Sequence, residues 1–384
     1  MEKKKILCVF GNKVYYGHER SNVQVYSLLQ QEGYDLLVLN NKDGLAPGAR
    51  AVFDNQSIRY IGIRFPDWSD MRKPFTLLKV LKYLTKVVVH NISFSWHLRK
   101  FRPDYILIGN DFMFVNLIPT FLFSRVKIIY RLGDKPTMGW KAFAFFWRKF
   151  IVKMTDRFVC ISQFIHTKLI EAGRGINKKD KVIYNYPPIR AGNDFSGLRA
   201  KRREGLTFGY LGQIIQIKGV EEFIDAAIMI VDQYPDVYFL LAGDLQYNAE
   251  FSNKLLEKTK NSNSGGRITF LGQIEDIDSY FEAIDVLVTP SIKEEPLGNV
   301  LVEAKIHGVP NIIFDSGGMP ELIRHGKDGL ICKDMTAASI RDCCQKYIDN
   351  PALINIHGKN ASKSIYELGL NYESFKSKWL EVIC

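Results

Sequence analysis

The sequence predicts an α/β fold made of two Rossmann-like domains, each a parallel sheet with crossover helices. Three observations carry this expectation. Short apolar runs alternate with longer helical patterns from the first residues onward. The alternation breaks at Tyr186 to Gly205, a stretch with Pro187-Pro188, three glycines and the basic run to Arg203, and then restarts. The length of 384 residues exceeds one ordinary core, given about 150 residues per domain. The expected division is a first domain at 1–190, a linker at 191–205 and a second domain at 206–369.

In the first half, strands are expected at Ile6 to Phe10, Leu36 to Leu39, Tyr105 to Gly109, Lys127 to Tyr130, Arg157 to Ile161 and Lys181 to Tyr184. Helices are expected near Asn22 to Gln31, Phe75 to Lys100, Phe112 to Phe123, Trp140 to Lys153 and Gln163 to Ala172. In the second half the strands are Thr207 to Leu211, Val237 to Ala242, Ile268 to Leu271, Val286 to Thr289, Asn311 to Phe314 and Gly329 to Cys332. Helices there fall near Val220 to Tyr234, Ala249 to Lys258, Ser279 to Ala283, Leu297 to His307, Ala337 to Asp349 and Pro351 to Glu367. The closing stretch 371–384 is amphipathic through Tyr372, Phe375, Trp379 and Val382.

Composition narrows the function. Six cysteines without a C-x-x-C pair, three of them in apolar runs, read as reduced core thiols of a cytoplasmic protein. Seven scattered histidines show no paired metal-ligand spacing, so no metal or cofactor is expected. The start MEKKKILCVF lacks the apolar core and cleavage site of a signal peptide. The uncharged run Phe112 to Ser124 contains Asn116 and Pro119 and falls short of the ~20 residues a span needs. Of the net charge of +11, the window from Ile61 to Cys160 holds 18 Lys and Arg against 6 Asp and no Glu, an excess of 12 positive charges. Such a field suits an anionic surface, acidic lipid or nucleic acid, or else serves only solubility. No recognised RNA-binding motif or zinc finger accompanies it, so nucleic acid is not expected as a partner. Trp140, Phe143, Trp147, Phe150 and Met154 recur at helical spacing with Lys141, Arg148, Lys149 and Lys153 between them. That stripe is expected to be partly core, and its residue types also suit an interfacial helix, which Lys79, Lys82 and Lys86 would extend.

The most informative stretch is Ser291 to Ile331, SIKEEPLGNVLVEAKIHGVPNIIFDSGGMPELIRHGKDGLI. Glu295 and Glu303 stand eight positions apart, with Pro296, Leu297 and Gly298 opening a helix between them. Eight steps of ~100° return both carboxylates to nearly one face, ~12 Å apart. A helix N-terminus holds phosphate through free amides and its dipole. Two carboxylates flanking such a site suit a nucleotide sugar, whereas the competing reading for the spacing alone is a solvated amphipathic helix. The sequel, Gly317-Gly318-Met319-Pro320-Glu321, then Gly326 and Asp328-Gly329, decides against the latter.

The stretch resembles the signature of the retaining family 4 glycosyltransferases, matching it at Ser291, Glu295, Gly298, Glu303, Ala304, Gly308 and Pro310. The resemblance implies a GT-B type fold, two Rossmann-like domains facing a central cleft, with a last helix (370–384) packing back on the first domain. It also implies metal-independent transfer of a sugar from a nucleoside-diphosphate donor, with retention. Lys218, in a Lys-Gly segment before a helix, would take the diphosphate; Glu295 would orient the donor sugar, Glu303 the ribose, and the amides at Leu297 and Gly298 the phosphates. Two departures qualify it. Gln213 stands where an arginine is usual, so the phosphate clamp lacks a charge-assisted donor there. No histidine follows the strand in KIIYRLGDKP, which leaves Asp134 to accept from a sugar hydroxyl or serve as base, or merely to cap a turn. In FGNKVYYGHER, Gly17, counted among the donor-binding residues, would let backbone approach phosphate or acceptor, with Glu19 and Arg20 at the helix start. Asp276-Ile277-Asp278 is read as a helix cap and not as a metal motif.

The expected activity is therefore glycosyl transfer to a glycan or lipid-linked acceptor, plausible in cell-surface polysaccharide synthesis. The expected place is the cytoplasm, at the inner face of the cytoplasmic membrane if the basic first domain binds anionic lipid. The rivals are a same-fold sugar-nucleotide epimerase and a catalytically silent nucleotide-sugar-binding module.

Overall fold

The computed structural model describes residues 4–11, 17–67, 76–186, 205–262 and 264–383. The expected linker at 191–205, apart from Gly205, residues 12–16, Phe75 and Cys384 lie outside them. The chain divides into two compact units, Met1–Ile183 with Lys376–Cys384, and Tyr184–Phe375.

The first unit holds seven strands, β1 (Lys5–Phe10), β2 (Asp35–Asn41), β3 (Tyr60–Ile63), β4 (Tyr105–Ile108), β5 (Lys127–Leu132), β6 (Arg157–Cys160) and β7 (Lys181–Val182). They pair in parallel in the order β3-β2-β1-β4-β5-β6-β7. The central strands are buried from end to end except for Lys5 and Lys127 at the starts of β1 and β5, since helices cover both faces of a parallel sheet. The sequence reading missed β3, an edge strand whose middle two residues are exposed, and the helix Pro47–Asn55 beside it. The helix expected at Trp140 to Lys153 is broken into Lys141–Phe146, a π turn Trp147–Ile151 and Val152–Met154. Trp147 is fully buried there against Tyr130 and Phe158, so that stripe is partly core, as its residue types suggested. In the last helix, Tyr372–Ile383, Lys376 Nζ meets Glu32 Oε1 at 2.6 Å, and Ile383 O accepts from Lys4 Nζ at 2.7 Å.

The second unit holds β8 (Leu206–Leu211), β9 (Val237–Ala242), β10 (Ile268–Gly272), β11 (Val286–Thr289), β12 (Asn311–Ile313) and β13 (Gly329–Ile331). The order is β10-β9-β8-β11-β12-β13, again parallel throughout. Its core joins Phe208, Phe239 and Val288 of the sheet to Phe223 of the helix Val220–Val231 and Tyr347 of the helix Ala337–Asp349.

One buried group makes the first unit acid-sensitive. His90, on the long helix Leu77–Phe101, is fully buried and donates from Nδ1 to Arg64 O at 2.8 Å. Its Nε2 is buried without a hydrogen-bond partner among the described residues, and burial pushes the imidazole down to about 4. A base whose folded pKa is depressed contributes stability that is present above its ordinary value of 6.5 and lost as pH falls through the folded value. That gap corresponds to about 3 kcal/mol. Urea unfolding at pH 7 and at pH 4.5 is expected to show this acid-side loss in the wild type and a shallower one in His90→Gln. Equal slopes in the two proteins would contradict the assignment.

Candidate functional site

Open parallel sheets bind ligands beyond the carboxyl ends of their strands, at the point where strand order reverses. In the second unit that point lies between β8 and β11. The loop after β8 carries Gln213 and the 3-10 turn Gln216–Lys218; the loop after β11 carries Ser291 to Gly298. Lys218 Nζ contacts both oxygens of Glu295, at 2.6 and 2.7 Å, and each side chain is about three-quarters buried. The structure thus brings together two of the residues expected in catalysis, as one ion pair.

The backbone fixes that pair from three sides. Ile217 O accepts from both Ile292 N and Lys293 N at 3.1 Å, tying the two loops together. Gly219 follows Lys218 at φ 67°, where a Cβ would collide with Pro290 O. Gly318 N donates to Glu295 O at 2.7 Å, and Gly317, at φ 62°, leaves no room for a Cβ beside the Glu295 backbone. The Gly-Gly of the GGMPE segment is therefore a seat for Glu295. Glu321 of the same segment accepts from Tyr184 Oη at 2.9 Å.

The helix expected at Leu297 to His307 runs from Asn299 to Ile306, with Gly298 as its left-handed N-cap at φ 91°. Glu295 consequently sits in the preceding loop, and the helical-face argument for Glu295 and Glu303 does not describe their geometry. Two glycine-dependent turns, which the spacing could not reveal, place Glu295 instead. Glu303 is half-buried in the helix, and its carbonyl accepts from His307 Nδ1 at 3.0 Å. Leu297 is buried, so only its backbone can serve a ligand. The helix is pinned from beneath by Lys305, fully buried, whose Nζ meets Asp328 Oδ2 at 3.3 Å and Ser364 Oγ at 2.8 Å. Burial pulls this ammonium down to about 8 against the opposing pull of Asp328.

Gln213 O accepts from Tyr210 Oη at 2.7 Å. Burial, and after it the Glu295 carboxylate, push the Tyr210 phenol up, so it stays a donor. Asp276 caps its helix by accepting from Ser279 N at 3.1 Å, and Asp278 bonds His307 Nε2 at 3.0 Å. Among the described residues no group of three or more His, Cys, Asp or Glu is arranged to hold a metal ion.

In the first unit the strand order reverses between β1 and β4. A cavity of about 760 Å³ opens there, lined by Gly11, His18 and Glu19, by Asn110 and Asp111, by Asp134, and by Phe112, Trp140 and Phe143. Asp111 accepts from Tyr130 Oη and, at 3.2 Å, from Thr137 N. Burial raises its pKa, and the Tyr130 and Thr137 hydrogen bonds offset part of that rise. Asp134 is exposed at the rim and its Oδ1 accepts from Lys135 N at 2.7 Å, the turn-capping contact. Gly17 is the first residue of the helix Gly17–Gln31, and Glu19 is buried in its first turn.

His18 was not singled out in the sequence. Its Nε2 lies 3.1 Å from Gly109 O, and its ring covers Gly133, where a Cβ would collide with it. A histidine therefore does stand at the end of β5, supplied by a different element. Burial, then the neighbouring Arg131, lower its pKa and keep the ring neutral. Its position directly after Gly17, at a helix start beyond β1, was the available signal.

Two parallel-stranded α/β units, each with polar residues gathered at the reversal point of its sheet, define the GT-B class of fold. Residues 198–364 match the family model described as glycosyl transferases group 1. The chain is 28% identical over 196 residues to N-acetyl-alpha-D-glucosaminyl L-malate synthase of Bacillus anthracis, covering 50% of each chain. The chain spans about half or less of the length of the first curated relatives it matches. It is also 26% identical over 370 residues to the Escherichia coli UDP-Gal:alpha-D-GlcNAc-diphosphoundecaprenol alpha-1,3-galactosyltransferase, covering 91% of this chain and 89% of that one. Among solved structures, Anabaena HepE in complex with UDP and glucose superposes with a TM-score of 0.78 at 21% identity, over 99% of both chains.

Proposed function

We propose that the protein is a retaining, metal-independent glycosyltransferase that moves a sugar from a nucleoside-diphosphate donor to an acceptor hydroxyl. The observation that carries this is the Lys218–Glu295 pair at the reversal point of the second sheet, beside the N-terminus of the helix Asn299–Ile306. Lys218 supplies a point charge to the diphosphate and to the departing nucleotide. The amides at Leu297 and Gly298, where the helix opens, take phosphate oxygens. Glu295 accepts from donor-sugar hydroxyls and Glu303 from the ribose. The leaving phosphate takes the acceptor proton on the same face, so no enzyme nucleophile is needed and the anomeric configuration is retained.

The cavity of the first unit is read as the acceptor site. Carboxylates and asparagine beside Phe112, Trp140 and Phe143 suit a sugar, whose hydroxyls need acceptors and whose C–H faces need apolar contact. The E. coli relative's name, a transferase acting on a diphosphoundecaprenol-linked GlcNAc, supports a lipid-linked glycan as acceptor. The protein then works in the cytoplasm, peripherally at the inner face of the membrane. Among the described residues no helix is long and apolar enough to cross a bilayer.

The test supplies nucleotide sugars singly, then with lipid-linked or short glycan acceptors, and reads release of nucleoside diphosphate. Acceptor-dependent release, a product with the donor's anomeric configuration, and insensitivity to chelator are expected. Release with an altered free sugar and no acceptor would make the protein an epimerase; no turnover despite nucleotide-sugar binding would make it a silent module.

A further inference from the structure

The helix Leu77–Phe101 has one face against the first unit and another that is exposed among the described residues. Its inner face is fixed: Tyr83 Oη donates to Asn116 Oδ1 at 2.7 Å, Asn91 Nδ2 to Asn116 O at 2.7 Å, and Ser95 Oγ lies 3.1 Å from Thr120 Oγ1. Phe94 packs on Phe121, and His90 is buried. The outer face carries Leu77, Leu78, Leu81, Leu84, Val88, Val89, Ile92 and Trp96, every one between 47% and 77% exposed. At ~100° per residue these eight fall within an arc of ~140°, and the stripe runs ~29 Å along the axis. Scattered exposed leucines are ordinary, but a stripe of this size, interrupted within its arc by Thr85, marks an interaction surface.

The charges on the same helix select the partner. It has Lys79, Lys82, Lys86, Arg99 and Lys100 and not one Asp or Glu. Lys82 and Lys100 fall at the edge of the apolar arc, and Lys100 Nζ rests 4.8 Å above the Trp96 ring. Trp96 with an adjacent cation is the pairing that settles at headgroup level. A second copy of the chain would bring Lys82, Arg99 and Lys100 against the same three cations, with no carboxylate on either helix to offset them. Phosphate headgroups offset them, while acyl chains receive the leucines.

We propose that Leu77–Phe101 is a membrane-docking helix. It lies in the plane of an anionic leaflet with Leu77, Leu81, Leu84, Val88 and Ile92 among the acyl chains and Lys82, Arg99 and Lys100 on lipid phosphates. This deepens the membrane placement proposed above and rests on it, and it moves the contact from the Trp140 to Lys153 stripe to a different helix. The exposed position of these side chains means that changing them removes no core contact.

Co-sedimentation of the whole protein with phosphatidylglycerol-containing vesicles, without any nucleotide sugar, is the experiment. Wild type is expected to bind these and to bind pure phosphatidylcholine at least tenfold more weakly. Leu77→Asn/Leu81→Asn/Leu84→Asn should lose more than tenfold in partitioning, with the melting temperature kept. Lys82→Glu/Arg99→Glu/Lys100→Glu should lose a similar factor, and high salt should weaken the wild type. Vesicle binding that both triple variants retain would overturn the helix assignment while leaving the membrane placement standing. Absence of wild-type binding to either lipid would overturn both. Salt-insensitive self-association of the wild type, abolished by the asparagine variant, would assign the face to a second copy and overturn the lipid proposal.

Discussion

Glu295→Gln and Lys218→Met are each expected to lower kcat/KM for sugar transfer by about ten- to a hundred-fold, because each removes a hydrogen bond made by a charged group, worth ~1.5–3 kcal/mol. Both proteins should stay folded, since the partner left behind keeps partial contact with water. The ion pair adds a less obvious consequence. In the free protein Glu295 neutralises Lys218 through two short contacts, so a donor diphosphate competes with a carboxylate for the ammonium. Glu295→Gln should therefore bind nucleoside diphosphate lacking a sugar more tightly than the wild type, even as transfer falls. Lys218→Met should bind it more weakly, and in the double variant the gain from Glu295→Gln should disappear because no ammonium is left to release, the non-additivity of coupled neighbours. Calorimetric titration of the four proteins measures this cycle. Wild-type turnover in both single variants, with folding verified, would sink the assignment of this pair.

What could be read in advance follows from how each feature is encoded. Parallel strands covered on both faces are continuous apolar runs, so Ile6 to Phe10 and Val286 to Thr289 announce themselves, and the two α/β repeats with them. The strand β3 is an edge with Gly62 in its middle and two exposed residues, so its pattern is diluted. The site was legible as residue types and not as geometry. Lys218 and Glu295 are 77 positions apart and meet because β8 and β11 are neighbours, a topological fact that no local window contains. The eight-residue spacing of Glu295 and Glu303 suggested a shared helix face, but left-handed Gly298 starts the helix after Glu295. His18 went unnoticed for the same reason: its partner surface, Gly133, lies over a hundred positions away. The membrane surface shows the limit most sharply. Aromatic and basic residues from Trp140 to Lys153 stand out in the sequence, yet that stripe is split between buried Trp147 and exposed Trp140, while the plainer leucines from Leu77 onward face outward together.

Gly317→Ala is expected to lower turnover by about a hundred-fold, more than its effect on stability accounts for. An alanine at φ 62° costs ~1–2 kcal/mol of backbone strain wherever it occurs. At Gly317 a second cost is specific to the site, because the methyl group would enter the space of the Glu295 backbone, which Gly318 N holds in place. Backbone cannot rotate aside as a long side chain can. The Glu295 loop must shift, carrying its carboxylate off Lys218, and a displacement of ~1 Å in a reacting site is enough for a hundred-fold loss. Gly326 supplies the control. It has a similar left-handed conformation, φ 72°, but apart from its chain neighbours no heavy atom of the described residues lies within 4 Å of where its Cβ would stand. Gly326→Ala should thus lose ~1–2 kcal/mol of stability and keep its turnover once folded, whereas Gly317→Ala should lose turnover even where it is folded. Thermal melts and steady-state rates on the two variants separate strain from displacement. Equal rates in both would mean that the Gly317 contact does not seat Glu295, and that the carboxylate owes its position to the loop after β11 alone.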